Sequence, residues 1–243
     1  ASMISRQDGV IAGMSCAQTA FRLMDEELTI TPHKNDGDSV KPGDKILSVE
    51  GSARAILTAE RTALNFLSHL SGVASMTARC VTAIHGTKAR VVDTRKTLPG
   101  LRNLQKQAVV MGGGYNHRFG LADGILIKDN HIAVSGGIEN ALDAVANHKS
   151  HMVKVEIEVD TLDQLQAVIN HGGADIVLLD NMPPEEMAKA VDMIDGRMLA
   201  EASGGITLEN IRAIAETGVD LISLGALTHS VTALDIGLDI KTE

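Results

Sequence analysis

Between Asp93 and His131 the chain reads DTRKTLPGLRNLQKQAVVMGGGYNHRFGLADGILIKDNH. This stretch holds Arg95, Lys96, Arg102, Lys106, Arg118 and Lys128, together with His117 and His131. From Lys88 to His131 eight Lys and Arg stand against three Asp and Glu, a net charge of +5 in a chain whose formal net charge is −9. A locally cationic stretch in an acidic protein suits a small molecule with several negative charges. Nucleic acid would be repelled by the other surfaces. The cations alternate with strand ends and a triple glycine instead of lining one polar helix face, which sets them apart from a solvated basic loop. His117 beside Arg118, in a glycine-flanked loop, suits recognition of a carboxylate. His131 fits a structural hydrogen bond equally well. Asp93 reads as a partner orienting Arg95 or Lys96.

The acidic candidates are Glu158 and Asp180, each at the end of an apolar run. Paired carboxylates there suit a divalent cation, ribose hydroxyls or a developing positive charge, with an ion pair to Lys128 as the structural alternative. Further on, Ser203-Gly204-Gly205 and Leu224-Gly225-Ala226 also follow apolar runs. Glycine loops on adjacent late strands expose backbone N–H groups and a helix start, a phosphate-binding arrangement. Gly112-Gly113-Gly114 permits close backbone approach but is weak by itself.

These residues need a scaffold that gathers them. From residue 89 onward short β-rich runs (Arg90–Asp93, Ile125–Lys128, Val153–Val159, Asp175–Asp180, Met198–Glu201, Leu221–Leu224) alternate with helical stretches at Gly137–Asn147, Leu162–His171, Pro184–Ile194 and Thr207–Thr217. Strand–helix alternation implies a parallel sheet, and about six units suggest a β/α barrel, complete or partly open, with its polar residues at the C-terminal strand ends. Residues 1–88 read differently. A strand over Ser2–Ala12, a Ser15-capped helix to Met24, hairpin signals from Leu28 to Val49, and helix from Ser52 to His85 are expected. That last helix has Ile56, Leu57, Ala63, Leu64, Phe66, Leu67 and Leu70 on one apolar arc and an interruption at Ser71-Gly72. Glu60 falls inside the arc and Arg61 at its margin. Residues 89–231 form the expected barrel domain, and 232–243 return as a strand to the first.

Composition narrows the class. The chain has 243 residues, 44% of them apolar, with no Trp, one Tyr and three Phe. That suits helix-on-sheet packing and not base-stacking platforms. Cys16 and Cys80 lack metal-ligand spacing and make no secreted framework, so a reducing, cytoplasmic setting is expected. No apolar run is long enough to span a membrane.

The segments DTRKTLPGLRNLQKQAVVMGGGYNHRFGL, ILIKDNHI, EGSARAILTAERTALNFLSHLSGVA, KVEIEVDTL, DIVLLDNM, EASGGITLENI and GVDLISLGALTHS resemble the quinolinate phosphoribosyltransferase family over nearly the whole chain. The resemblance implies an N-terminal open α/β sandwich plus an incomplete β/α barrel. It implies transfer of phosphoribose from 5-phosphoribosyl-1-pyrophosphate (PRPP) to quinolinate with decarboxylation, giving nicotinate mononucleotide for NAD biosynthesis, and a need for Mg²⁺. It implies that Arg95, His117 and Arg118 bind the two quinolinate carboxylates, and that Arg61 arrives from the partner in a homodimer. Lys96 and Lys128 would lie near the reacting ring and the pyrophosphate. Glu158 and Asp180 would serve ribose hydroxyls and Mg²⁺, and Ser203, Gly204, Gly225 and His229 the 5′-phosphate. Family members usually carry a further helical segment ahead of the first sandwich strand, where this sequence begins.

Two other classes compete. Lys128 at a strand end could be the nucleophile of a Schiff-base lyase, which borohydride trapping of a carbonyl substrate would support. A non-catalytic phosphate-ligand sensor would show no pyrophosphate release.

Overall fold

The computed structural model describes residues 1–240. In chain order the elements are β1 (Ser2–Ser5), β2 (Gly9–Val10), α1 (Met14–Met24), β3 (Thr29–Pro32), β4 (Ser39–Val40), β5 (Lys45–Glu50), α2 (Ala53–Ala83), β6 (Arg90–Val92), α3 (Arg102–Met111), β7 (Ile125–Ile127) and α4 (Asp129–Ser135). They continue as α5 (Ile138–His148), β8 (Val155–Val159), α6 (Leu162–His171), β9 (Ile176–Asp180), α7 (Pro184–Ile194), β10 (Leu199–Ser203), α8 (Ile211–Glu216), β11 (Leu221–Ser223), α9 (Ala226–His229) and β12 (Ile236–Asp239). The chain forms two compact units. One comprises 1–81, 96–115 and 225 onward, and the other 82–95 and 116–224.

The first unit is built on an antiparallel sheet in the order β12-β1-β5-β3, with a separate β2–β4 pair. β12 pairs antiparallel with β1, Ser2 opposite Asp239, so the end of the chain joins its beginning in one sheet. Met3, Ile46, Leu47 and Val49 from the sheet, Phe21 from α1 and Ile56, Ala63, Leu64 and Leu67 from α2 share one core. Three local expectations are corrected here. Helix α1 starts at Met14 with Gly13 at its cap, and the carboxylate that meets its first turn is Asp36, whose Oδ1 accepts from Met14 N at 3.0 Å; Ser15 lies inside the helix. Leu57 is exposed on α2, because the buried stripe runs through Ile56, Ala59, Ala63 and Leu67 at helical spacing. Ser71-Gly72 does not interrupt α2, which runs unbroken for 31 residues. A Cβ at Gly72 would lie 2.3 Å from Thr232 O, so this glycine admits a neighbouring backbone against the helix. Ser71 Oγ bonds the Ala12 backbone. Gly112 and Gly114 do the same for the α3 end, since their Cβ atoms would meet Ala74 O at 2.3 Å and Thr77 Cγ2 at 2.7 Å.

The second unit holds six parallel strands in the order β6-β11-β10-β9-β8-β7. Sequence neighbours β6 and β7 lie at opposite edges, so the barrel is open at that seam. Helices α5, α6 and α7 are each amphipathic and pack in succession, with Leu142, Leu165, Val168, Met187 and Ala190 buried. Among the described residues no helix is long and apolar enough to cross a membrane.

Candidate active site

Side chains alternate across a strand, so residues two apart share a face. The register puts Leu126 opposite Glu156, Glu158 opposite Leu178, Leu178 opposite Glu201, and Asp180 opposite Ser203. One face of the parallel sheet therefore carries Glu156 and Glu158 on β8, Asp180 on β9, Glu201 and Ser203 on β10, and Ser223 on β11. Lys128, just beyond β7, joins them: its Nζ lies 2.9 Å from Glu158 Oε2.

A lower group of this face is buried. His117 Nε2 lies 2.9 Å from Glu156 Oε2 and 3.7 Å from Glu201 Oε1. Arg118 N donates to His117 Nδ1 at 2.8 Å, and His117 N donates to Asp93 Oδ1 at 2.8 Å. With Nδ1 accepting, Nε2 carries the ring proton of the neutral tautomer and donates to Glu156. Burial alone would lower the His117 pKa, but the Glu156 hydrogen bond and the Glu201 charge raise it. Oε1 of Glu156 and both oxygens of Glu201 are buried with no hydrogen-bond partner among the described residues. Burial first, and the charge of Glu156 next, push Glu201 up to about 8. The three side chains offer donor atoms within 4.8 Å of one another, a spacing open to a divalent cation.

Above this group two cations crowd together. Burial lowers the Arg118 pKa, and the positive charge of Arg95 lowers it further. Arg118 Nη1 is anchored on Gly124 O at 2.9 Å. Two guanidiniums whose charges act on each other concentrate positive potential at this place. Glu158 and Asp180 end β8 and β9, half-buried, and Asp180 Oδ2 accepts from Asn181 Nδ2 at 2.6 Å. Asn181 takes a left-handed φ of 54°. A Cβ at Gly204 would strike its Oδ1 at 2.1 Å, so the Ser203-Gly204 turn requires glycine. Lys128 N donates to His131 Nδ1 at 2.9 Å, which gives His131 the structural role. Lys128 itself is half-exposed and paired with Glu158. It lacks the apolar pocket that would activate a Schiff-base amine.

The first unit holds the other candidates. Arg61 is exposed on α2. Gly225 is flanked by Lys96 Cδ and the His229 ring, at 2.9 Å and 3.1 Å from where a Cβ would stand.

Residues 1–71 match the model of the quinolinate phosphoribosyl transferase N-terminal domain, and residues 73–239 that of the C-terminal domain. The chain belongs to the quinolinate phosphoribosyl transferase family. It is 45% identical over 240 residues to the probable nicotinate-nucleotide pyrophosphorylase [carboxylating] of Bacillus subtilis, covering 99% of this chain and 83% of that one. It is 47% identical to the Mycobacterium leprae nicotinate-nucleotide pyrophosphorylase [carboxylating], covering 98% and 85%. The crystal structure of nicotinate-nucleotide pyrophosphorylase from Ehrlichia chaffeensis superposes with a TM-score of 0.95 at 40% identity, covering 99% of this chain and 87% of that chain. In this phosphoribosyl transferase the sequence reading passed over Glu156, which begins the Glu-x-Glu pair on β8. Glu201 entered that reading only as the last residue of the run Met198–Glu201. The available signal was the period of two that sets Glu156 beneath Glu158 and Glu201 beneath Ser203.

Proposed function

We propose that the chain transfers the phosphoribosyl group of PRPP to quinolinate and decarboxylates the product, yielding nicotinate mononucleotide, pyrophosphate and carbon dioxide. The observation that carries this reading is the Arg95–Arg118 pair. The positive charge of Arg95 acts on Arg118, and a dicarboxylate bound between them would offset both charges. His117 Nε2 donates a hydrogen bond to Glu156, so a substrate carboxylate would compete with Glu156 for that donor. The pyridine nitrogen attacks the anomeric carbon as the bond to pyrophosphate oxygen breaks, and positive charge grows on the ribose. Glu158 and Asp180 stabilise that charge, and Lys96 and Lys128 the departing anion. The N-ribosylated ring is a pyridinium, whose positive nitrogen stabilises the electron pair left on the adjacent ring carbon as the 2-carboxylate leaves as carbon dioxide. A proton from solvent then fills that carbon. Ser203, Gly204, Gly225 and His229 hold the 5′-phosphate.

Glu158 and Asp180 are hard oxygen donors on adjacent strand ends and fit Mg²⁺, which takes one or two carboxylates and completes its shell with substrate phosphates. When bound, the ion would offset charge on the pyrophosphate. Glu158 must then share its oxygens between Lys128 and the ion.

The test of this reading is substrate charge. Nicotinate, which lacks the 2-carboxylate, loses a charge-assisted contact of about 1.5–3 kcal/mol, so its kcat/KM should fall by more than tenfold against quinolinate. Equal turnover of the two substrates would overturn it.

We also propose a homodimer in which Arg61 serves the neighbouring subunit's site. The support is its exposure on α2, whose other face is buried in the core of its own unit. Arg61→Ala and Lys96→Ala homodimers should each be nearly inactive, while random mixing should restore about a quarter of wild-type activity through the one intact site of each mixed dimer. No recovery after proven subunit exchange would return Arg61 to its own chain.

A further inference from the structure

Gln105 on α3 is fully buried. Its Oε1 accepts from Leu98 N at 2.9 Å, and its Nε2 donates to Thr228 O at 2.8 Å. A backbone N–H only donates and a carbonyl only accepts, so both ends fix the amide's orientation. The same Nε2 lies 3.0 Å from His69 Nε2, which must therefore accept. Burial lowers the His69 pKa and favours the neutral ring this contact needs. Thr228, also fully buried, sends its hydroxyl to Lys96 O at 2.8 Å, with Gly225 O at 3.3 Å. Arg102 Nε ties Thr97 Oγ1 at 3.1 Å in the same segment.

These bonds join two pieces of chain far apart in sequence. One is the Lys96–Leu98 segment, whose lysine side chain reaches solvent. The other is the Gly225–His229 turn, over which the Lys96 stem is laid. A flexible lysine has a defined direction only if its backbone is held, and a turn binds phosphate only if its N–H groups keep their aim. We propose that Gln105 and Thr228 are positioning residues that hold Lys96 in register with the Gly225–His229 turn, and so set the affinity for the phosphorylated substrate. The proposal rests on the reading above of Lys96 and this turn as parts of the PRPP site.

Thr228→Val removes the hydroxyl and keeps the shape, and Thr228→Ser keeps the hydroxyl. In steady-state assays of the full-length chain, Thr228→Val should raise KM for PRPP about three- to tenfold, the loss of one buried hydrogen bond. KM for quinolinate should stay within about twofold. Thr228→Ser should recover the wild-type value. Gln105→Ala should act in the same direction and more strongly, and Thr228→Val keeps the test readable if that protein folds poorly. A Thr228→Val enzyme with unchanged PRPP kinetics, beside a Lys96→Ala enzyme that is impaired, would overturn the positioning role and leave the function standing. Equal rises in both KM values with a lowered Tm would reduce the pair to packing and overturn it too. If Lys96→Ala is itself like wild type, the assignment of Lys96 falls, and the positioning role falls with it.

Discussion

Glu156 and Glu158 are the same residue type on the same face of the same strand, two positions apart. Glu156 is closed in with His117 and Glu201, whereas Glu158 meets Lys128, whose side chain is 50% exposed. Their own side chains are 5% and 11% exposed, so what separates them is the partner each one meets. In the lower group, carboxyl oxygens leave water and must share protons or accept from fixed donors, because a buried charge without a partner is costly. In the upper group a carboxylate keeps an exchangeable partner and can turn to a ligand. On the proposed reading, one strand therefore supplies both a rigid support and a reactive rim. A site built this way keeps its reactive groups on a stiff element instead of a loop.

The largest expected effect breaks the comparison at the rim. Glu158→Gln or Asp180→Asn should lower kcat by about a hundredfold or more, the scale of losing one electrostatic contact to developing charge. Quinolinate binding should change little. Calorimetric titration of quinolinate beside single-turnover assays separates the two. If quinolinate affinity collapses while kcat holds, the roles of the rim carboxylates and the Arg95–Arg118 pair are reversed. If Glu156→Gln matches Glu158→Gln in every respect, their different partners are not what distinguishes them.

The second effect lies in the lower group and concerns stability. Glu201 is pushed up to about 8 from an ordinary value of 4.5. Below the ordinary value both folded and unfolded chains hold the proton, and its burial carries no linkage cost. As pH rises from there toward 8 the unfolded chain releases a proton that the folded one retains, so folding loses stability across that window. Glu201→Gln removes the titration. Its Tm should exceed that of wild type by a few degrees at pH 8, about 1–2 kcal/mol at roughly 2–4 °C per kcal/mol for a chain of this size. The advantage should shrink toward pH 5. Thermal melts from pH 5 to 9 give the answer, and a gap that is flat with pH would mean Glu201 is not the proton holder.

The two groups were unequally legible in the sequence. Rim residues follow apolar runs, so the position of each strand end exposed Lys128, Glu158, Asp180 and Ser203 to view. The strand–helix alternation likewise marked the open barrel, since each period is local. Glu156 looked like one more charge within KVEIEV, because its burial depends on His117, which is 39 residues earlier in sequence. Gln105 and Thr228 were invisible for the same reason: their partners lie across 123 residues of chain. Ser71-Gly72 misled because glycine weakens an isolated helix, whereas here it admits the Thr232 backbone. Local pattern marks elements and their ends, and pairings across long separations are decided by packing.

The smallest effect sharpens the comparison from the side of stability. Lys128 and Glu158 form a close ion pair at 2.9 Å, which invites the view that it holds β7 to β8. The strands are already joined by their ladder, with Ile125, Leu126 and Ile127 opposite Val155, Glu156 and Ile157. The lysine is half in water, where solvent screening and the entropy of ordering a long side chain cancel most of the attraction, leaving about 0–1 kcal/mol. Lys128→Met keeps the aliphatic stem and removes the charge. It should therefore shift Tm by no more than about 2–4 °C while turnover falls sharply. The reverse pattern, a large loss of stability with turnover preserved, would make the pair a structural clamp. It would also remove Lys128 from the reaction and leave the rim's cation to be sought elsewhere.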